Sequence, residues 1–203
     1  MTLNVLWLQS GGCGGCSMSL LNADTPDFSA LLDTLGVNLL WHPSLSLQSG
    51  ASLLELLEDC ASGRTRLDVL CLEGAVLRGP HNTGRFHKLA GSDLSMMHWL
   101  ERLSGVAQHV LAIGSCAAWG GVSATGSNVA GCPTHPGWVT DTLMALGANA
   151  MGAEDLDALN RPRLYADQLV HHGCTRNEYY EFKASASKPT DLGCMMENMG
   201  CKG

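Results

Sequence analysis

Two rhythms of apolar positions alternate along this chain. Leu3 to Leu8 is an apolar run broken only by Asn4, and it stops at Gln9, Ser10, Gly11 and Gly12, the pattern of a strand buried on both faces. Phe28, Leu31, Leu32 and Leu35 then repeat at helical spacing, with Pro26 near the first helical position and Gly36 as the stop. Val37 to Trp41 predicts a second strand. Leu53, Leu54, Leu57 and Ala61 predict a helix opened by a Ser52 and Glu55 capping box and ended by Gly63. Leu67 to Leu72 predicts a third strand, Met96, Leu100 and Leu103 a helix after Asp93, and His109 to Ile113 a fourth strand. Val139, Leu143 and Leu146 predict a last helix, closed by Gly147.

Strands alternating with short amphipathic helices predict an α/β fold, a flavodoxin-like doubly wound parallel sheet over residues 1–155. After Gly152 the periodicity fades into a polar stretch with three cysteines. Residues 156–203 are therefore an irregular C-terminal segment with too little apolar content for a core, and inorganic ligation is what could order it.

Composition narrows the function. At 203 residues and 45% hydrophobic content the chain can bury one substantial core, and 12 Lys and Arg against 19 Asp and Glu disfavour nucleic-acid or anionic-membrane partners. No apolar stretch is long enough to span a bilayer, and the N-terminus enters a strand pattern without a basic leader, which points to a cytoplasmic protein. In that setting nine cysteines argue for metal or redox chemistry over a disulfide framework. Cys60 and Cys71 lie in apolar segments and read as small buried hydrophobes; the other seven lie beside Gly, Pro or turn residues.

Those seven fall in two constellations. Cys13 and Cys16 follow the first strand, Cys116 follows the fourth, and Cys132 sits in a Gly-Cys-Pro turn. In an open parallel sheet such loops share the carboxyl edge where ligands bind. A CxxC pair alone fits a dithiol redox site, half a zinc site or a cluster equally well; two further thiols on the same edge shift the weight to a four-thiolate iron-sulfur cluster. The second constellation is His171 and Cys174 at HxxC spacing, then Cys194 and Cys201, with His172 as the alternative imidazole. From that spacing alone zinc is the better fit.

Longer strings carry a resemblance. Val5-Leu6-Trp7-Leu8-Gln9 leads into Cys13-Gly14-Gly15-Cys16, followed by Leu40-Trp41-His42-Pro43-Ser44-Leu45 and Leu72-Glu73-Gly74-Ala75. Gly114 to Gly121, Gly131 to Pro136, His171 to Arg176 and Cys194 to Gly203 complete the set. In these the chain resembles the small subunits of nickel-iron hydrogenases, specifically the regulatory, hydrogen-sensing branch. The resemblance implies a proximal 4Fe-4S cluster on Cys13, Cys16, Cys116 and Cys132, and a distal 4Fe-4S cluster on His171, Cys174, Cys194 and Cys201. It implies a large subunit bearing the nickel-iron centre, a dimer of such heterodimers, and a signalling kinase or redox acceptor beyond it. Electrons would leave the hydrogen-splitting centre through this chain.

Two departures stand out. The family carries a longer segment where Val122 to Ala130 lie here, and it continues past Cys-Lys-Gly with cysteines for a medial cluster, whose ligands are not in this sequence. Glu73, on the same edge as the cysteines, could relay protons, although a solvated or capping carboxylate is the simpler reading. Trp119, Trp138 and the Met96-Met97 and Met195-Met196 pairs read as packing. The competing functions are an uptake-type hydrogenase small subunit, a cluster-bearing component like the small one of respiratory complex I, for which adjacent cysteines are expected, and a zinc-stabilised interaction module.

Overall fold

The computed structural model describes residues 2–33, 36–89, 91–120, 126–168 and 170–201. Leu35 of the predicted helical stripe, Val122 at the short segment and the final Lys202-Gly203 lie outside them. The chain divides into two compact units, Met1–Pro162 and Arg163–Gly203.

The first unit is built on five parallel strands: β1 (Leu3–Gln9), β2 (Val37–Trp41), β3 (Val69–Glu73), β4 (His109–Ile113) and β5 (Ser127–Val129). Their order is β2-β1-β3-β4-β5, the flavodoxin-like arrangement, so the topological switch falls between β1 and β3. Register runs from Val5 opposite Val69 to Gln9 opposite Glu73, and from Val69 opposite His109 to Glu73 opposite Ile113. β1, β3 and β4 therefore end together, and the loops that follow them emerge on one edge.

Among the described residues six α-helices accompany the sheet: α1 (Gly15–Leu20), α2 (Phe28–Asp33), α3 (Ala51–Ala61), α4 (Met96–Ser104), α5 (Gly114–Gly120) and α6 (Pro136–Gly147). Side chains alternate across strands. Leu6, Leu8, Leu70, Leu72, Val110 and Ala112 join Leu53, Leu57, Cys60, Trp99, Leu100, Leu103, Ala117 and Ala118 in one core beneath α3, α4 and α5. Trp7, Cys71 and Ile113 are buried on the opposite face, where Trp7 meets Glu73.

Several expectations change. The Ser52 capping box does not form: α3 starts at Ala51 after Gly50, and the Ser52 hydroxyl donates to the Ser49 carbonyl from inside the first turn. β5 has no signature in the apolar pattern because it has three residues and one aliphatic side chain; Asn128 anchors it by donating from its backbone to Asn160 O (2.7 Å) and from Nδ2 to Leu159 O (2.6 Å). These bonds also keep residues 156–162 with the sheet. Trp119 is 57% exposed and Met196 48% exposed, whereas Met96 is buried.

Among its described residues the second unit holds four short helices, α7 (Arg163–Ala166), α8 (Val170–Gly173), α9 (Asn177–Glu181) and α10 (Met196–Met199). Among its described residues only Tyr165, Ala186 and Gly193 are buried. It is ordered by backbone and side-chain hydrogen bonds in place of an apolar core.

Candidate functional site

At the switch point the loops after β1 and β3 clasp each other. Gly11 N donates to Ala75 O (2.9 Å) and Ala75 N to Gly11 O (2.8 Å). Gly74 stands between them with φ +86°, and a Cβ there would lie 3.0 Å from the Gly11 backbone, so only glycine permits this approach. Cys13 leaves the clasp exposed; Gly14, at φ +75°, turns the chain into α1, whose first turn carries Cys16. Cys16 and Cys116 thus sit in the first turns of short helices, α1 and α5, and not in open loops.

The remaining thiols are brought to the same place. Gly114, at φ +80°, lies so close to Cys16 that a Cβ on it would be 2.4 Å from the Cys16 sulfur. Gly15 is also tight, since its Cβ would be 3.2 Å from the Cys13 sulfur. Ser115 N donates to Gly131 O (2.8 Å) while Gly131 N donates to Ser115 Oγ (3.1 Å), which fastens the Cys132 turn to the start of α5. Ser19 Oγ donates to Thr134 O (2.7 Å) and ties that turn to α1. Burial pushes the Cys16 thiol up; a backbone hydrogen bond from Thr134 opposes this, and the charges of Glu73, Cys13 and Cys116 add to it. Cys13, Cys16, Cys116 and Cys132 therefore occupy one neighbourhood at the carboxyl edge.

Glu73, the last residue of β3, is 2% exposed, so it is not solvated. Its carboxylate caps α1: Oε1 accepts from Cys16 N (3.0 Å) and Ser17 N (3.1 Å), and Oε2 accepts from Trp7 Nε1 (3.2 Å) and from the Ser17 hydroxyl. The Ser17 hydroxyl also lies 3.1 Å from Nε2 of buried His42. Ser17, His42 and Trp7 are members of the site that the sequence pattern does not single out. The available signal is that His42 and Glu73 both end apolar runs on the edge that holds the cysteines.

In the second unit Arg176 is the organiser. Its Nη1 donates to Gly193 O (2.6 Å) and Asp191 O (2.9 Å), and its Nη2 to Pro189 O (3.3 Å), so the loop leading to Cys194 is held to the turn that carries Cys174. Cys201 N donates to Met195 O (3.3 Å), which returns the chain toward Cys194. His171 stacks on Tyr180 with centroids 4.0 Å apart, and Cys174 N donates to His171 O (3.3 Å). His172 is exposed on the same short helix.

Among the described residues no three His, Cys, Asp or Glu side chains gather tightly enough for a single metal ion. An iron-sulfur cubane asks for something different, one ligand at each of four irons around inorganic sulfide. Four spaced thiols at the sheet edge, with glycines that leave their sulfurs uncovered, fit that demand. In the tail Arg176 N lies 3.4 Å from the Cys174 sulfur and Met196 N 3.5 Å from the Cys194 sulfur, donors that suit thiolate ligands.

Comparison with known proteins bears on this arrangement. Residues 13–129 match the family model of the NADH ubiquinone oxidoreductase 20 Kd subunit, and residues 166–203 match the model for the C-terminal part of the NiFe/NiFeSe hydrogenase small subunit. The F420 non-reducing hydrogenase II small subunit of Methanosarcina mazei is 29% identical over 98% of this chain, which spans 64% of that protein's length. The periplasmic NiFeSe hydrogenase small subunit of Desulfomicrobium baculatum is also 29% identical, with 98% of this chain and 73% of that protein aligned. The crystal structure of the reduced, active NiFeSe hydrogenase from the same organism superposes with a TM-score of 0.81 at 30% identity, covering all of this chain and 84% of the solved one. By the match of its C-terminal segment, by 30% identity along the whole chain to a solved NiFeSe hydrogenase and by fold, the chain belongs to the nickel-iron hydrogenase small-subunit family.

Proposed function

We propose that this chain is the electron-transfer small subunit of a nickel-iron hydrogenase, a hydrogen:acceptor oxidoreductase whose nickel-iron centre is held by a large subunit. The observation that carries the reading is the cysteine quartet at the sheet edge together with a tail that matches the hydrogenase C-terminal region. Cys13, Cys16, Cys116 and Cys132 hold one 4Fe-4S cluster, and His171, Cys174, Cys194 and Cys201 hold a second. When bound, such clusters accept and release single electrons. The chain's own part is to fix the thiolates on rigid strand ends, to keep Cβ atoms away from their sulfurs, and to aim backbone amides at Cys174 and Cys194.

The finer assignment is a hydrogen-sensing, cytoplasmic member with a kinase or redox protein as acceptor, working as a dimer of heterodimers. The strings from Val5 to Gln9 and from Leu40 to Leu45, among those that carry the resemblance, support it. A complex I-like role is the second reading, favoured by the family model over residues 13–129. The hydrogenase-type tail speaks against it.

Purification with the large subunit tests the proposal. Iron and acid-labile sulfide are expected on this chain, nickel on its partner, and hydrogen-dependent reduction of an acceptor dye. Zinc in place of iron and sulfide, or no dye reduction with nickel and iron both loaded, would falsify it. Slow turnover coupled to altered kinase activity would support sensing over uptake.

A further inference from the structure

Glu73 receives four hydrogen bonds, and every donor is neutral: the Trp7 indole N–H, the Cys16 and Ser17 amides and the Ser17 hydroxyl. The direction of the last follows from its neighbour. Ser44 N donates to His42 Nδ1 (3.1 Å), so the ring proton is on Nε2 and is given to Ser17 Oγ (3.1 Å), which leaves the hydroxyl hydrogen for Glu73. Both carboxylate oxygens accept, and each of the four donors faces one of them. Ser17, His42, Glu73 and Trp7 are all buried, with Ser17 the most open at 5% exposure.

We propose that Glu73, aligned by Ser17 and His42, is a positioning residue that sets the reduction potential of the cluster held by the first cysteine quartet. The inference rests on the cluster reading above. Its charge stands behind Cys16 in a water-excluded setting, where Coulomb interactions are strong, and it favours the oxidised, less negative state of the cluster. It also occupies the Cys16 and Ser17 amides, which could otherwise donate to cluster sulfur and raise the potential. Both effects hold the potential down. The tail constellation is arranged differently: the Cys174 and Cys194 sulfurs meet backbone donors from Arg176 and Met196.

The test is a redox titration, followed by electron paramagnetic resonance, of the iron-loaded chain purified with its large subunit. Glu73→Gln keeps the shape and removes the charge, and is expected to move the first cluster upward while the tail cluster stays as internal control. Ser17→Ala keeps the charge but strips one compensating donor and the His42 tether, and is expected to move the same cluster downward. A merely structural role predicts loss of iron without opposite shifts. The inference is overturned if Glu73→Gln retains its iron with an unchanged or lowered potential. Should that variant take up no iron, Ser17→Ala decides: a downward shift sustains the inference and any other result overturns it. Wild-type chain without the first cluster would instead sink the underlying reading.

Discussion

In Met1–Pro162 the cysteines stand at the ends of strands whose side chains are buried on both faces, and two of the loops are clasped by paired backbone bonds. In Arg163–Gly203 three described residues are buried, and one guanidinium spanning three carbonyls holds the loop before Cys194. The first unit holds its thiol-bearing turns together with an apolar core and the hydrogen bonds that fasten the Cys132 turn to α1 and α5. The second depends on a few polar contacts and on whatever the thiols bind, as small metal-ordered segments do. A frame that survives without its cofactor can tune that cofactor; a frame made by its cofactor can do little more than hold it.

The largest expected effect tests the sheet side of this contrast. Leu72→Ala removes a side chain with no exposure from β3 and should cost about 3 kcal/mol, read as a lowered urea midpoint. An unchanged midpoint would break the contrast there. Next, Arg176→Lys keeps the charge but loses the fork that binds Asp191, Gly193 and Pro189, with roughly 2 kcal/mol lost from the tail. If the chain carries the two proposed clusters, iron and sulfide per chain should fall toward half while the resonance signal of the first cluster persists, and full iron in this variant would show that the tail has another organiser.

A smaller effect concerns pH. Burial holds the His42 imidazole below its ordinary value of 6.5, partly offset by the Glu73 charge. The unfolded chain then takes up a proton that the folded one refuses, so stability is full above about 6.5 and falls as pH drops toward the lower folded value. Comparing urea midpoints at pH about 7.5 and about 5.5 for wild type and His42→Gln isolates this share; equal slopes would remove His42 from the account. The smallest effect is an absence of reaction. Burial pushes the Cys60 thiol up to about 11 and the Cys71 thiol higher still. Alkylation of metal-free folded chain near neutral pH should spare both and label Cys13, Cys116, Cys132, Cys174 and Cys201, which are exposed. Modification of Cys71 before unfolding would mean that the sheet opens.

Much of this is legible in the sequence because most of the sheet is made of predominantly apolar runs: β2 and β4 have the bounds their sequence predicts. The edge that gathers Cys13, Cys16, Cys116 and Cys132 follows from strand parity and the switch-point rule. What stays hidden has local causes. α1 and α5 are short and rich in Gly, Ser and Ala, so they show no helical stripe. β5 owes its place to Asn128 and not to an aliphatic pattern. The burial of Glu73 cannot be read from one residue, since its donors come from β1 and α1 and its alignment from His42 beyond β2. Arg176 stands out in sequence only as part of a longer string, because carbonyl acceptors leave no trace there.

Gly114 carries one more implication. Its missing side chain leaves the Cys16 sulfur lying against bare backbone, 2.4 Å from where a methyl carbon would be, in a conformation that other residues rarely adopt. A single added carbon at this position would intrude on the space that the Cys16 sulfur occupies, although residue 114 carries no thiol itself. The capacity of the cage is thus set by an atom that is not there.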